Sequence, residues 1–274
     1  MKPILADLHN HSNFCDGRDT PEQMAEAAYK MGFTDLGFSG HSHAEFDLPC
    51  SVRDVPGYLA AVHSLQEEYA GRMNIYCGVE QDFCAPVDDR SAYDYLIGAV
   101  HYFHSSADDI YYPVDSSAEE LAACISEMFA GQPYQMIRRF YENSTENVLK
   151  YRPDLVGHFD LIVKNNADGR FFDEDDKRYR YSAIEALEAC LELAPVFELN
   201  MGGIYRRYRE TPYPATFLLK ELLHRGGRIA LSADAHATEA LAFRFTDAKE
   251  LLRDIGFKSI WVWHNGAFVE QGLN

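Results

Sequence analysis

Short apolar runs alternate with amphipathic helical stretches almost to the end of the chain, and that alternation predicts an α/β fold. The runs Ile4–Leu8, Asp35–Ser39, Asn74–Glu80, Tyr95–Val100, Leu155–His158, Val196–Asn200 and Arg228–Ser232 predict seven strands, with a final β-rich run over Ser259–Trp263. The helices between them are marked by local chemistry. Thr20-Pro21 opens the first, which reaches about Met31, with proline at its first position and Gly32 just past its end. A second covers Val55–Tyr69 and is closed by Gly71. Ser117-Ala-Glu-Glu120 has capping-box spacing and starts a helix through Phe129, and a longer one spans Pro133–Lys150, ending before Pro153. Helices near Ser182–Leu193, Ala215–Arg225 and Asp247–Ile255 complete the set. Alternation of this kind implies a parallel sheet. No linker-like stretch divides the chain, so residues 1–274 read as one domain.

The ends of those strands carry the chemistry. Six of the eleven histidines fall there with three carboxylates: His9, His11, Asp16, His41, Glu80, His101, His158, Asp234 and His236. Strand ends that repeatedly carry such groups point them at one mouth if the sheet closes into a barrel. His9 and His11 lie two apart and so share a face, and Asp234 with His236 repeats the arrangement near the other end of the chain. Mixed imidazole and carboxylate donors suit Zn²⁺, Fe²⁺ or Mn²⁺ better than Ca²⁺ or Mg²⁺. Nine donors exceed the needs of one tetrahedral ion, so two or three ions are expected.

Composition narrows the partners. A net charge of −18 argues against non-specific binding to nucleic acid or an anionic membrane, and favours a substrate with a cationic part. Six cysteines are scattered without a Cys-x-x-Cys pair, the pattern of reduced thiols in a cytoplasmic protein. The first residues lack the long apolar stretch of a signal peptide, and no segment approaches eighteen uninterrupted apolar residues.

The segments around the nine residues are Asp-Leu-His9-Asn-His11-Ser, Asp16-Gly, Ser-Gly-His41-Ser, Gly-Val-Glu80, Gly-Ala-Val-His101, Val-Gly-His158-Phe-Asp and Ser-Ala-Asp234-Ala-His236. In order and content they resemble the motif series of the polymerase-and-histidinol-phosphatase (PHP) superfamily, over nearly the whole chain. The resemblance implies a distorted, TIM-like (β/α)7 barrel with three divalent metal ions. It implies that His9, His11, Glu80 and Asp234 hold the first ion and that Glu80, His101 and His158 hold the second. Asp16, His41 and His236 hold the third. One departure is visible: the family often has Thr-Asp-His where this chain has Ser-Gly-His41, which removes a carboxylate beside the ligand but no ligand. Phe-Cys-Asp16-Gly, Gly-His158-Phe-Asp-Leu-Ile, and Glu198-Leu-Asn200 before Gly202-Gly203 resemble the histidinol-phosphate phosphatases in particular.

That likeness implies hydrolysis of L-histidinol phosphate, a step of histidine biosynthesis, by a hydroxide bridging Glu80-linked metals, with no separate base. His43 or His236 is expected to protonate the leaving oxygen. Arg18, Lys164, Arg206 and Arg207 are the candidates for gripping phosphate, Arg206 or Arg207 preferred for their bidentate geometry. Glu45 or Asp47 is expected to meet the substrate's cationic group. The principal rival is a phosphoesterase acting on nucleotides or nucleic-acid ends, which needs a basic track that this acidic chain lacks. Asp173-Glu-Asp-Asp176 lacks the central glycine of a calcium loop and reads as solvated. His63, His224 and His264 read as structural, and paired aromatics such as Tyr111-Tyr112 as loop packing.

Overall fold

A computed structural model describes residues 3–193 and 195–273. In chain order the strands are β1 (Ala6–Asp7), β2 (Asp35–Phe38), β3 (Asn74–Asp82), β4 (Tyr95–Ala99), β5 (Tyr102–Ser105), β6 (Ile110–Pro113), β7 (Leu155–Val156), β8 (Val196–Asn200), β9 (Arg228–Ser232), β10 (Ser259–His264) and β11 (Ala267–Gly272). The helices are α1 (Pro21–Met31), α2 (Val55–Glu68), α3 (Ala118–Glu127), α4 (Pro133–Tyr151), α5 (Lys177–Leu191), α6 (Gly202–Tyr205), α7 (Thr216–His224) and α8 (Phe245–Ile255). Seven strands pair in parallel in the order β1-β2-β3-β4-β7-β8-β9. Beyond the strand ends the sheet curls back on itself: His11 N–H donates to Ala235 O at 2.8 Å, and Ala235 N–H to His9 O at 3.2 Å. The fold is therefore the distorted seven-stranded barrel with surrounding helices. No helix among the described residues is long and apolar enough to cross a membrane.

The helix starts follow their capping chemistry. Thr20 accepts from Gln23 N–H at 3.3 Å while the Gln23 side chain accepts from Thr20 N–H at 2.9 Å, and Gly32 takes φ +84° at the far end. α5 begins five residues before the expected Ser182, because Asp176 caps it by accepting from Arg178 N–H at 2.8 Å. The acidic loop is thus a helix cap.

β1 is shorter than its apolar run, since Ile4 pairs its backbone with the Gln271 side chain instead of β2. Two antiparallel hairpins were not foreseen as such. β5–β6 follows His101 at the mouth, and β10–β11 packs against β9 and β1.

Tyr95, fully buried at the start of β4, fills the barrel interior. Its hydroxyl donates to the carbonyls of Phe38, at 2.9 Å, and Leu8. Gly37 and Gly78 make room for it: a Cβ on either would overlap the Tyr95 ring. β2 and β3 are paired on both sides and cannot retreat. We expect Gly78→Ala to destabilise the fold by about 1–3 kcal/mol through overpacking. Thermal unfolding checks it, and an unchanged Tm would refute this account of the core.

Candidate metal centre

Seven strand ends deliver the site. After β1 the chain runs on extended, so His9 and His11 face the mouth while Asn10 between them turns away and donates to the carbonyls of Asp7 (3.1 Å) and Gly37 (3.0 Å). The following turn, closed by Gly17 N–H to Ser12 O at 3.1 Å, brings Asp16 back to the same mouth; a Cβ on Gly17 would strike the Ser12 backbone. His41, His101 and His158 follow β2, β4 and β7, while Glu80 lies within β3. Asp234, just past β9, takes φ +50°, a conformation an aspartate tolerates, and His236 lies two residues on.

Glu80 is at the centre and 1% exposed. Its Oε1 lies 2.8 Å from His158 Nε2 and 3.2 Å from His101 Nε2. Its Oε2 lies 3.1 Å from His9 Nε2, 3.4 Å from His11 Nε2 and 3.1 Å from His41 Nδ1. Asp234 Oδ1 lies 3.4 Å from His11 Nε2 and 3.7 Å from His9 Nε2. Asp16 sits 3.0 Å from His236 Nε2 through Oδ2, and 3.6 Å from His41 Nε2 through Oδ1. All nine residues named from the sequence meet in this cluster. Donor atoms of His11, Asp16, His41 and His236 form one compact group, so His11 also stands beside the three residues expected for the third ion.

The donors fit divalent cations. His9 Nε2, His11 Nε2 and Glu80 Oε2 are buried and make no hydrogen bond, a state that protein interiors avoid. The ring of His9 is also aimed correctly. Its Nδ1 lies 2.8 Å from Glu198 Oε2, so Nδ1 carries a proton and Nε2 is the nitrogen that faces the centre.

β8 contributes the layer behind the ligands. Glu198 Oε1 accepts from His158 N–H at 2.6 Å and from Asn200 Nδ2 at 2.8 Å. Asn200 Nδ2 also reaches Asp234 Oδ2 at 3.3 Å. Arg206, just beyond α6, donates to Asp234 Oδ2 (2.7 Å) and Asp234 O (3.1 Å), with Nη1 2.8 Å from His236 Nδ1. One strand end thus steers ligands from three others. Asp82, at the end of β3, does the same for His101, accepting its N–H at 2.6 Å. Asp7 joins the two ends of the sheet, accepting from His9 N–H and Ala233 N–H, each at 3.0 Å. Burial pushes the Asp7 carboxyl up to about 8.

Charge within the cluster is opposed by burial and restored by neighbours. Burial disfavours the Glu80 carboxylate, yet the His9, His41 and His101 imidazoles outweigh it and hold the group well below its usual range. The same contest ends likewise for Asp234, with Arg206 and His9 as the main counterweights. Burial would also push His9 down, but Glu198, Glu80 and Asp234 hold it well above its ordinary value. His11 goes the other way, to about 3, through burial and the neighbouring His236 and His41. The ionised carboxylates and the uncharged His11 imidazole are in the donor forms that cations require, while His9, His41 and His101, shifted upward by the carboxylates, would give up a proton on binding one.

The accessory residues divide. Lys164 lines the cavity outside the ligands, 2.9 Å from Asp115 Oδ2. Burial works against the Asp115 charge, but Lys164 and His101 hold its carboxyl at about 2. Arg206, one of the two arginines preferred as phosphate grip, spends its terminal nitrogens on Asp234 and His236. Arg207 is exposed after α6 in a left-handed conformation, φ +62°, away from the cavity lining. Arg18 lies on the outside, bound to Asp19 (2.9 Å) and Glu239 (2.6 Å). Glu45 is 85% exposed and lies 3.2 Å from His43 Nε2. The other ring nitrogen of His43 meets Val52 O at 2.8 Å, and the ring is exposed.

Glu198, Asn200, Asp82 and Asp7 had not been named as site residues. The signal for them was present: Glu198 and Asn200 end a strand in the ligands' own i, i+2 pattern, and Asp82 continues the Glu80 face.

The PHP domain family model matches residues 7–202. The "probable histidinol-phosphatase" of Deinococcus radiodurans is 29% identical over 272 residues, covering 95% of this chain and 97% of the relative. The histidinol-phosphatase of Bacillus subtilis is 24% identical, covering 87% of this chain and 96% of the relative. Among solved structures, histidinol phosphate phosphatase from Lactococcus lactis, complexed with zinc, L-histidinol and phosphate, superposes with a TM-score of 0.64 at 19% identity, covering 96% of this chain and 98% of that one. A candidate histidinol phosphatase from Listeria monocytogenes gives 0.75 at 18%, covering 89% and 99%. With more than half of its length matched and the motif residues gathered at one mouth, the chain belongs to the PHP domain family.

Proposed function

We propose that this chain is a metal-dependent phosphomonoesterase whose substrate is L-histidinol phosphate, working as one catalytic domain in the cytoplasm. The observation that carries the reading is Glu80: a buried carboxylate with each oxygen facing a different set of imidazole nitrogens. Three divalent cations, Zn, Fe or Mn, would be held by His9, His11, Glu80 and Asp234, by Glu80, His101 and His158, and by Asp16, His41 and His236. Such cations neutralise a phosphate dianion and lower the pKa of water, so that a nucleophile exists at neutral pH.

The chain's own residues do the rest. Glu198 and Arg206 fix the ligand rings and carboxylate, and Lys164 is the cation placed to meet phosphate oxygens. Of the two imidazoles considered for the leaving oxygen, His236 is the one at the centre. The six cysteines are free thiols among the described residues, which supports a reducing compartment. Names shared by relatives along nearly the full chain support the substrate.

The test is steady-state phosphate release from the metal-loaded protein, comparing histidinol phosphate with other small phosphomonoesters and a short single-stranded oligonucleotide. We expect the highest kcat/KM for histidinol phosphate. A win for the oligonucleotide would replace this reading with a nucleic-acid one.

A further inference from the structure

One wall of the cavity in front of the ligands comes from outside the barrel. The cavity holds about 420 Å³, the size of a small-ligand site, and Asp16, His41 and His101 border it. The wall is built by the short turn Glu45–Asp47, which follows His41, and the hairpin β5–β6, which follows His101. Phe46 and Tyr111 stack with ring centres 3.8 Å apart and planes 6° from parallel, and His104 stacks on Tyr111 at 4.3 Å. Tyr102 meets Phe46 edge-on at 5.0 Å, and its hydroxyl donates to the Asp47 carboxylate. Aromatic packing and this hydrogen bond clasp the two loops together.

Two carboxylates lining the cavity lack an ion pair among the described residues, Asp47 and Glu120; Glu120 accepts from the Ser117 hydroxyl at the start of α3, and only Asp47 belongs to the clasp. Asp82 holds His101 and Asp115 faces Lys164, whereas Asp47 has no ion-pair partner among the described residues. The clasp and the ligand residues Asp16, His41 and His101 border the same cavity.

Resting on the phosphomonoesterase reading above, we propose that the clasp is the leaving-group subsite. Asp47 is its specificity-determining residue, selecting phosphomonoesters whose leaving group carries a protonated amine or imidazolium. The stacked rings offer that group a flat apolar surface. Tyr102 positions the carboxylate, which restricts where the cation sits.

The experiment compares 3-aminopropyl phosphate with propyl phosphate, esters that differ in one ammonium. Wild type is expected to prefer the amine about tenfold in kcat/KM, mainly through KM, as befits a charge-assisted contact made in the ground state. Asp47→Asn should reduce that ratio about tenfold. Tyr102→Phe, which keeps the ring, should reduce it about threefold. No amine preference in wild type would overturn the proposal, as would equal losses on both esters in Asp47→Asn. If histidinol phosphate proves a poor substrate while the amine preference holds, the substrate assignment falls and the subsite stands.

Discussion

Glu80→Gln is expected to leave less than about one-hundredth of the wild-type kcat/KM on histidinol phosphate and to lose bound metal. Substitutions in the layer behind metal ligands commonly cost about 10–100-fold, and Glu80 is a ligand shared between two sites. The change is nearly isosteric, so volume is not the cause. One oxygen becomes an amide nitrogen that carries only donors, and the charge that faces five imidazoles vanishes. An amide nitrogen beside His9 and His11, or beside His101 and His158, repels a cation that the carboxylate would share. Without metal, the variant should unfold earlier than metal-free wild type, because the carboxylate that the His9, His41 and His101 imidazoles hold ionised is lost and its buried partners are left without it. Metal content, turnover and Tm measured on the same sample separate lost chemistry from lost structure. Wild-type metal stoichiometry in Glu80→Gln would refute the bridging role.

Glu198→Ala has the second largest expected effect, although Glu198 is not a proposed ligand. Its two oxygens serve His9 Nδ1, His158 N–H and Asn200 Nδ2. Truncation frees the His9 ring to rotate and to change tautomer, and leaves buried donors unpaired. We expect metal affinity to fall about 10–100-fold by chelator competition. Stability should fall by about 3–5 kcal/mol, as when one partner of a buried charged pair is removed. Glu198→Gln, which can still accept through one oxygen, should recover part of the stability and less of the metal affinity. Equal affinity in all three proteins would show that Glu198 serves the barrel alone.

The nine clustered residues were legible because their spacing is geometric. Alternation along a strand end fixes the face, and repetition around a parallel sheet fixes the mouth. What spacing does not encode is which partner a charged group chooses. Arg206 and Lys164 both lie just past strand ends, yet Arg206 turns to the protein's own Asp234 while Lys164 borders the cavity. The β5–β6 hairpin escaped for a different reason: its strands are four residues each and begin directly after His101 without a turn signal. Tyr111 read as loop packing, and it does pack two loops, stacking on Phe46 in the wall of the cavity. The early start of α5 was hidden because Lys177-Arg-Tyr-Arg has no apolar face, and only the Asp176 cap announces it.

The joint between β9 and β1 has a consequence for how the molecule comes into being. Asp16 and His236, 220 positions apart, touch only across that joint. During synthesis the early imidazoles emerge long before the late Asp-x-His segment, so a partly made chain carries several metal donors and no complete cage. Contacts of such long sequence separation form late and slowly. Tight cation capture is therefore deferred until residues 234–236 have emerged and docked, and truncation before residue 234 should yield a product that neither retains its ions nor turns over.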